Sequence, residues 1–256
     1  LFWLGTFMLD LGATTVIMYS LREREKIVDL MEELTGQRMM FNYLRYGGVN
    51  ADVPEGWLDK VLSFCTYFLK MVDEYEILID KNPIFLSRVR NIGILPKEMV
   101  VAYGACGPVL RGSGVKYDVR KDEPYSVYDR FDFDIPVGTT GDTFDRYKVR
   151  MQEFRESVKI IRQAIAQIPP GPCLRKKLSF SFKIPAGEAY CQVEAPRGNM
   201  GVYLLSNGTN TAARVKYRTP SYANMQILPE VLKGAFLSDI MAIFGSFDVI
   251  LPEVDR

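Results

Sequence analysis

The 256-residue chain contains no histidine. That absence removes the usual neutral-pH general base and the commonest metal ligand together, so acid–base chemistry falls to Asp, Glu, Lys, Tyr or another chain. Cysteine is sparse as well: Cys65, Cys106, Cys173 and Cys191 lie far apart, with no CxxC pair. Neither a zinc site nor an iron–sulfur cluster carried by this chain alone is signalled, and the thiols fit a reduced, cytosolic setting. Charge of one sign is not in excess either. Lys and Arg number 32 against 31 Asp and Glu, and a net charge of +1 leaves no electrostatic footprint for nucleic acid. Phosphate-loop motifs are absent: neither G-x-x-x-x-G-K-[ST] nor a strand-anchored G-x-G-x-x-G occurs. What remains is an ordinary globular composition, 48% hydrophobic and 25% charged, long enough to bury a large core.

The last nineteen residues, Ser238 to Arg256, organise the reading. An apolar helix-like run stops at Gly245, and Asp248, Glu253, Asp255 and Arg256 are then spaced among Val249, Ile250, Leu251, Pro252 and Val254. Chain ends are usually polar and frayed, whereas this one reads as built for burial. At the other end, Leu1 to Leu21 holds a single charge, Asp10, in 21 residues. The helix predicted there continues through Arg22–Lys26 to a C-cap at Gly36. Its length meets the crude criterion for a membrane span. An intramembrane carboxylate costs about 2.5–3.5 kcal/mol, and the flanks lack the features of a secretory signal, so the reading is a helix buried on all sides within protein. Asp10 must then be paired, hydrogen-bonded or protonated: either a polar network with Thr6 or Thr14, or a proton-handling group.

Thr35 to Val53 reads as a loop in which Arg38 and Arg45 accompany Gly47–Gly48; such arginines line a cleft or fix a turn. Helices are expected at Trp57–Ile79, just after Leu95–Pro96, and at Thr143–Ile168. The last of these packs by a stripe of Phe144, Tyr147, Met151, Phe154, Val158 and Ile161, with its charges mostly on the other side. Gly104–Tyr128 is irregular and dense in Arg111, Asp118, Arg120, Lys121 and Tyr125, which suits a structured loop against a partner or pocket. After a basic linker, Glu188–Glu194, Gly201–Ser206 and Ala213–Tyr217 read as an antiparallel meander, and Ile227–Phe244 as a returning helix. The fold class is mainly α with a small antiparallel β-sheet (α+β), built as a long-helix bundle. Three parts are expected: a helical core over 1–172 that includes the loop region 104–142, a linker and small sheet over 173–221, and a C-terminal helix with a buried tail over 222–256.

Motifs along the whole chain carry a resemblance. LDLGA (9–13), REREK (22–26), TGQRM (35–39), RYGGV (45–49), GPVLRGSG (107–114), YDVRK (117–121), GDTFDRY (141–147), EAPRG (194–198) and the terminal DVILPEVDR occur in one order. In these the chain is similar to the 49 kDa subunits of respiratory complex I, NADH:quinone oxidoreductase, a family related to nickel–iron hydrogenase large subunits. The resemblance implies a hydrogenase large-subunit-like bundle and a peripheral-arm subunit of a proton-pumping enzyme, not catalytic alone. It would form part of the quinone-reduction cavity beside the terminal 4Fe–4S cluster of a small iron–sulfur partner subunit, and couple quinone reduction to proton translocation. NAD is used by the whole complex, and no cofactor is expected on this chain alone. Other implied partners are further peripheral-arm subunits and a membrane-arm subunit at the quinone entrance. The implied location is peripheral, on the cytoplasmic face of a bacterial inner membrane or the matrix or stroma side of an organellar one.

By the same resemblance Asp248, Ile250, Glu253 and Arg256 are quinone-pocket residues, at the place where hydrogenases carry the cysteines of their metal centre. Asp10 matches the family's buried aspartate and is assigned to proton coupling, while Arg38 and Arg45 belong to loops near cluster and pocket. The family's headgroup Tyr and His lie upstream of anything aligned with Leu1, so the chain resembles a part of a longer subunit. The segment between Pro172 and Lys183 is short for the family, and Pro252 replaces a frequent glycine, stiffening φ there. The alternatives are a homologous subunit of a ferredoxin- or F420H2-linked complex and a structural scaffold without a redox role. An active nickel–iron hydrogenase is excluded by the missing cysteine pairs.

Overall fold

A computed structural model describes residues 1–175 and 182–255. The first apolar run forms two helices rather than the single one expected, α1 (Phe2–Asp10) and α2 (Thr14–Thr35). The break falls at Gly12, whose φ of +88° no continuing helix tolerates, and the amides of Gly12 and Ala13 close back onto Leu9 and Met8. Gly36 ends α2 in the left-handed conformation, as its position predicts. Neither helix is buried on all sides. Trp3, Leu4, Phe7 and Met8 of α1 and Val16, Ser20, Glu23 and Val28 of α2 face inward, while Asp10 is exposed.

A two-residue ladder, β1 (Leu44–Arg45) with β2 (Gly48–Val49), follows, and then α3 (Trp57–Asp80). The sequence pattern does not announce α4 (Pro83–Val89), a short helix whose start is set by Asn82: its side chain accepts from the amides of Ile84 and Phe85, with proline at the first position. Next come α5 (Lys97–Ala102), α6 (Gly107–Gly112) and α7 (Val119–Asp122), so the stretch expected as loop contains helical turns. The long α8 (Thr143–Gln167) begins at Asp142, whose carboxylate accepts from the Asp145 amide at 2.8 Å.

The meander forms as expected, with order β3 (Gly187–Ala195), β4 (Gly198–Ser206), β5 (Arg214–Arg218). The returning helix does not form in one piece. A short helix, α9 (Pro220–Met225), comes before it, and the expected span is divided into α10 (Leu228–Val231) and α11 (Ile240–Phe247), with Gly234 at φ +78° between these two. A single turn, α12 (Leu251–Val254), closes the described chain, and Pro252 sits in its first turn, where no amide partner is needed.

Two apolar clusters hold these elements. One packs Leu4 and Phe7 of α1 against Phe68, Val72 and Tyr75 of α3, Phe85 of α4, and Tyr147 and Met151 of α8. The other gathers Leu95, Val100, Val109, Ile227, Ile243 and Phe247. Each such side chain contributes about 1.5–3 kcal/mol by leaving water. Arg146 joins the two clusters. Fully buried on α8, it donates to Ser246 Oγ (2.8 Å), Gly141 O (2.9 Å), Gly93 O (3.0 Å) and Thr143 Oγ1 (2.9 Å). The charges of α8 therefore do not all lie away from its packing stripe. No described helix is long and apolar enough to cross a membrane.

Candidate functional site

Pro196–Arg197, the two-residue turn between β3 and β4, lies against the start of α6 because two glycines meet there. Gly107 has φ +64° and Gly198 has φ +134°; a Cβ on Gly107 would collide with the Arg197 carbonyl, and one on Gly198 would come within 2.7 Å of the Gly107 nitrogen. From this turn Arg197 reaches the end of α11, where Nε donates to Asp248 O (2.8 Å) and a terminal nitrogen to Asp248 Oδ1 (3.2 Å). Asp248 is left-handed, with φ 56° and ψ 48°. Asp tolerates that region better than most residues, and the two hydrogen bonds from Arg197 hold it there.

Beside this pair opens a cleft of about 530 Å³, walled by the start of α1, by Arg111 and Arg120, by Arg150, Glu153 and Phe154 of α8, and by Glu194 to Arg197. Arg111 is its hub. Nε donates to Glu153 Oε1 (2.7 Å) and a terminal nitrogen to Glu194 Oε1 (2.9 Å), with Asp118 Oδ2 at 3.6 Å. Asp118 in turn binds Arg120 through both oxygens, at 2.9 and 2.6 Å. Burial works against the Arg111 charge, but the Glu153, Glu194 and Asp118 carboxylates outweigh it and hold the guanidinium above its ordinary value. Burial also raises Asp118, and there the bonds from Arg120 win, leaving it below the usual carboxylate range. For Glu194 burial dominates and the carboxyl is pushed up despite Arg111. Asp248 is likewise raised by burial, more than Arg150 and Arg197 lower it.

Arg150 stands apart from these pairs. Among the described residues no carboxylate lies within ion-pair distance; one terminal nitrogen donates to Arg146 O at 3.1 Å, and the guanidinium carbon sits 4.2 Å from the centre of the Trp3 ring. Burial lowers it to about 10, so it remains a cation at neutral pH. The cleft shares Leu1, Phe2, Phe154 and Ser157 with a second hollow of about 480 Å³, whose other walls are mostly apolar and include Ile27, Met31, Met39, Phe64 and Phe68. An apolar groove thus leads to an arginine-lined end, a shape that suits a long hydrophobic molecule whose head acquires negative charge.

The residues singled out in the sequence are scattered around this geometry. Asp248 lines the cleft. Ile250 and Glu253 lie beyond it, at the start of α12 and within it, against α9, whose Ser221 Oγ donates to the Glu253 carboxylate and accepts from the Ile250 amide at 3.5 Å. The tail is not buried: Ile250, Leu251 and Pro252 are exposed, because α12 packs on α9 and nothing described covers its outer side. Arg256 lies outside the described residues. Asp10 is at the opposite end of α1 from the cleft, on the stripe of Trp3 and Phe7, with Gly245 close to its carboxylate. The network with Thr6 is not formed, since Thr6 Oγ1 bonds to the carbonyls of Phe2 and Trp3. Arg38 borders the apolar groove but turns to Glu25, to Asp29 (2.8 Å) and to Glu32 (3.1 Å) along α2, while Arg45 bonds Asn42 within its own turn.

The sequence pattern assigns no site role to Arg150, Glu153, Glu194 or Arg197. Arg146 and Arg150 do leave a signal: they are four residues apart and so share one face of α8, the face that flanks the stripe of Tyr147 and Met151. Glu194 and Arg197 reach Arg111 and Asp248 with the help of the close contact between Gly107 and Gly198, a long-range approach that no local pattern encodes. Among the described residues no three Asp, Glu or Cys side chains gather as a metal site would require.

A helical subunit with a buried, arginine-rich cleft open on one side is the class that fold and site define. The family described as respiratory-chain NADH dehydrogenase, 49 kDa subunit, matches residues 10–182 and 175–256, and the chain belongs to it. It is 47% identical over 255 residues to a subunit of the NADH-quinone oxidoreductase of Bacillus mycoides, and 48% identical over 255 residues to the corresponding subunit from Geobacillus kaustophilus. A subunit of the chloroplastic NAD(P)H-quinone oxidoreductase of Staurastrum punctulatum is 47% identical over 281 residues. All of this chain is covered in each comparison, against 70%, 70% and 71% of the relatives' lengths. The two family matches meet at 175–182, inside the segment read as short, and the Bacillus relative aligns without the added length that the algal alignment needs. The chain is one component of a multi-subunit oxidoreductase complex.

Proposed function

We propose that this subunit forms one wall of a quinone-reduction cavity in a proton-pumping NADH:quinone oxidoreductase. The observation that carries the reading is Arg150: a buried guanidinium with no carboxylate among the described residues within ion-pair distance, facing a cleft into which an apolar groove leads. Reduction of a quinone to a quinol takes two electrons and two protons, and negative charge develops on the ring oxygens before the protons arrive. A preorganised cation in a dry cleft favours that charge. The other guanidiniums are already neutralised by Glu153, Glu194, Asp118 and Asp248, which leaves Arg150 free to respond.

Electrons would come from a 4Fe–4S cluster held by a small partner subunit, and NADH would be oxidised elsewhere in the complex. Asp248 closes the cleft, where its carboxylate, held by Arg197, adds to the electrostatics around the reacting oxygens. Ile250 and Glu253, just past Asp248 in the chain, and Arg256 are assigned to the same quinone pocket by the family resemblance, and Asp10 relays protonation changes along α1 toward a membrane-arm subunit. Arg38 and Arg45 shape the loop at the apolar groove. The subunit would sit peripherally, on the cytoplasmic side of a bacterial membrane or the corresponding side of an organellar one.

The test is Arg150→Met in the assembled complex. Quinone reductase activity should fall by about 100-fold, while NADH oxidation with ferricyanide as acceptor is unchanged. Quinone reductase activity at the wild-type level would refute the reading.

A further inference from the structure

A separate hollow of about 760 Å³ lies where β5 and the meander meet α9 and the end of α5, and no wall of it is shared with the arginine cleft. Five tyrosines converge on it: Tyr103, Tyr190, Tyr203, Tyr217 and Tyr222. Four of them are well exposed, from 38% for Tyr103 to 56% for Tyr190. Strand register builds part of the row. Tyr190 pairs with Tyr203 and Tyr203 with Lys216, so three side chains line up across one face of the sheet, and the Tyr190 ring lies over the bare backbone of Gly201.

β5 is an outer strand, hydrogen-bonded only to β4, and Arg214, Lys216 and Arg218 alternate along it. Alternation puts the three cations on one face. Among the described residues none of them forms an ion pair: Arg218 donates to the carbonyls of Asn199 (2.7 Å) and Gly104 (2.9 Å), which leaves its charge uncancelled, and the Glu188 carboxylate on that face takes the Tyr203 hydroxyl instead.

We infer that this hollow is the docking site for an acidic, extended segment of another subunit, laid along the free edge of β5. Basic residues on an edge strand also keep it from pairing with stray strands. That protective role has no use for exposed tyrosines beside the edge, whereas Tyr and Arg are the side chains that dominate interface energetics. An unpaired edge supplies backbone hydrogen bonds to an added strand, and the three cations select for carboxylates on it. The inference rests on membership of a multi-subunit complex and not on the quinone reading, so either can fail alone.

Zero-length carbodiimide coupling of the intact complex tests it, since that reagent joins a lysine Nζ only to a carboxylate already in contact. The expected product links Lys216 to an Asp or Glu of a different subunit, and in the same complex Tyr217 and Tyr222 are nitrated severalfold more slowly than after dissociation in urea. A link from Lys216 to a carboxylate of this chain, or no link at all, overturns the inference. So does nitration of both tyrosines at the same rate in the two states. Lys216→Glu paired with Arg214→Glu gives a second readout on a folded surface: the subunit should leave the complex at lower salt than wild type, and unchanged salt resistance counts against the docking site.

Discussion

Arg38 and Arg111 each gather three carboxylates, but Arg38 does so on the outside of α2 with 45% of its side chain exposed, and Arg111 inside the cleft with 3% exposed. Water already stabilises the first group of charges, so the added pairing matters little and salt weakens it. The second group has lost its water. There each charge depends on the others, and removing one strands its partners. The same constellation on paper is a surface clamp in one place and a structural hub in the other, and only burial distinguishes them.

Arg111→Met should break that comparison most severely. It leaves Glu153, Glu194 and Asp118 without their shared cation, and denaturant unfolding should register a loss of about 3–5 kcal/mol. A loss no greater than that of a surface substitution would mean the cleft is wetter than its geometry implies. Gly107→Ala attacks the same hub from the backbone, through a left-handed φ and a collision with the Arg197 carbonyl. It should cost about 2 kcal/mol or more, and it should loosen Arg197 from Asp248.

Smaller effects follow from pH. Glu194 has a raised carboxyl pKa in the folded state, so the folded chain binds more protons than the unfolded one; its contribution is fully present below the unfolded pKa and is lost as pH rises through the folded one. Asp118 has a lowered pKa, so its contribution is present above the unfolded value and is lost as pH falls through the folded one. Unfolding measured from pH 3 to pH 7 should therefore show Glu194→Gln gaining on wild type as pH rises and Asp118→Asn falling behind it. Parallel curves for the two variants would remove the asymmetry drawn around Arg111. The smallest change belongs to Arg38→Met, which should alter stability no more than other surface pairs do, with any difference vanishing at 1 M salt.

Much of the frame is legible in the chain. The boundaries of α3 and α8, the cap at Gly36 and the three-stranded meander follow from periodicity and from residues whose local chemistry dictates them. The pattern misleads where one glycine outweighs an apolar run: Gly12 splits the first helix and Gly234 divides the last, so both segments fold as shorter pieces. Asp248 is legible because its charge stands out beside an apolar run. Arg150 is not, because an arginine on a helix with many charges looks solvated until its place beside the apolar stripe, on the same face as Arg146, is noted. Asp10 shows the reverse case, a lone carboxylate in apolar company that the fold places at the surface of this chain.

The central claim, that a quinone is held where the apolar groove meets Arg150, is tested most directly by photolabelling the intact complex with an azidoquinone and mapping the adducts. The account predicts adducts on Trp3, Phe154 or Pro196, suppressed by excess unlabelled quinone and by Arg150→Met. Adducts confined to other subunits, or on this chain only at positions away from the cleft, would contradict it.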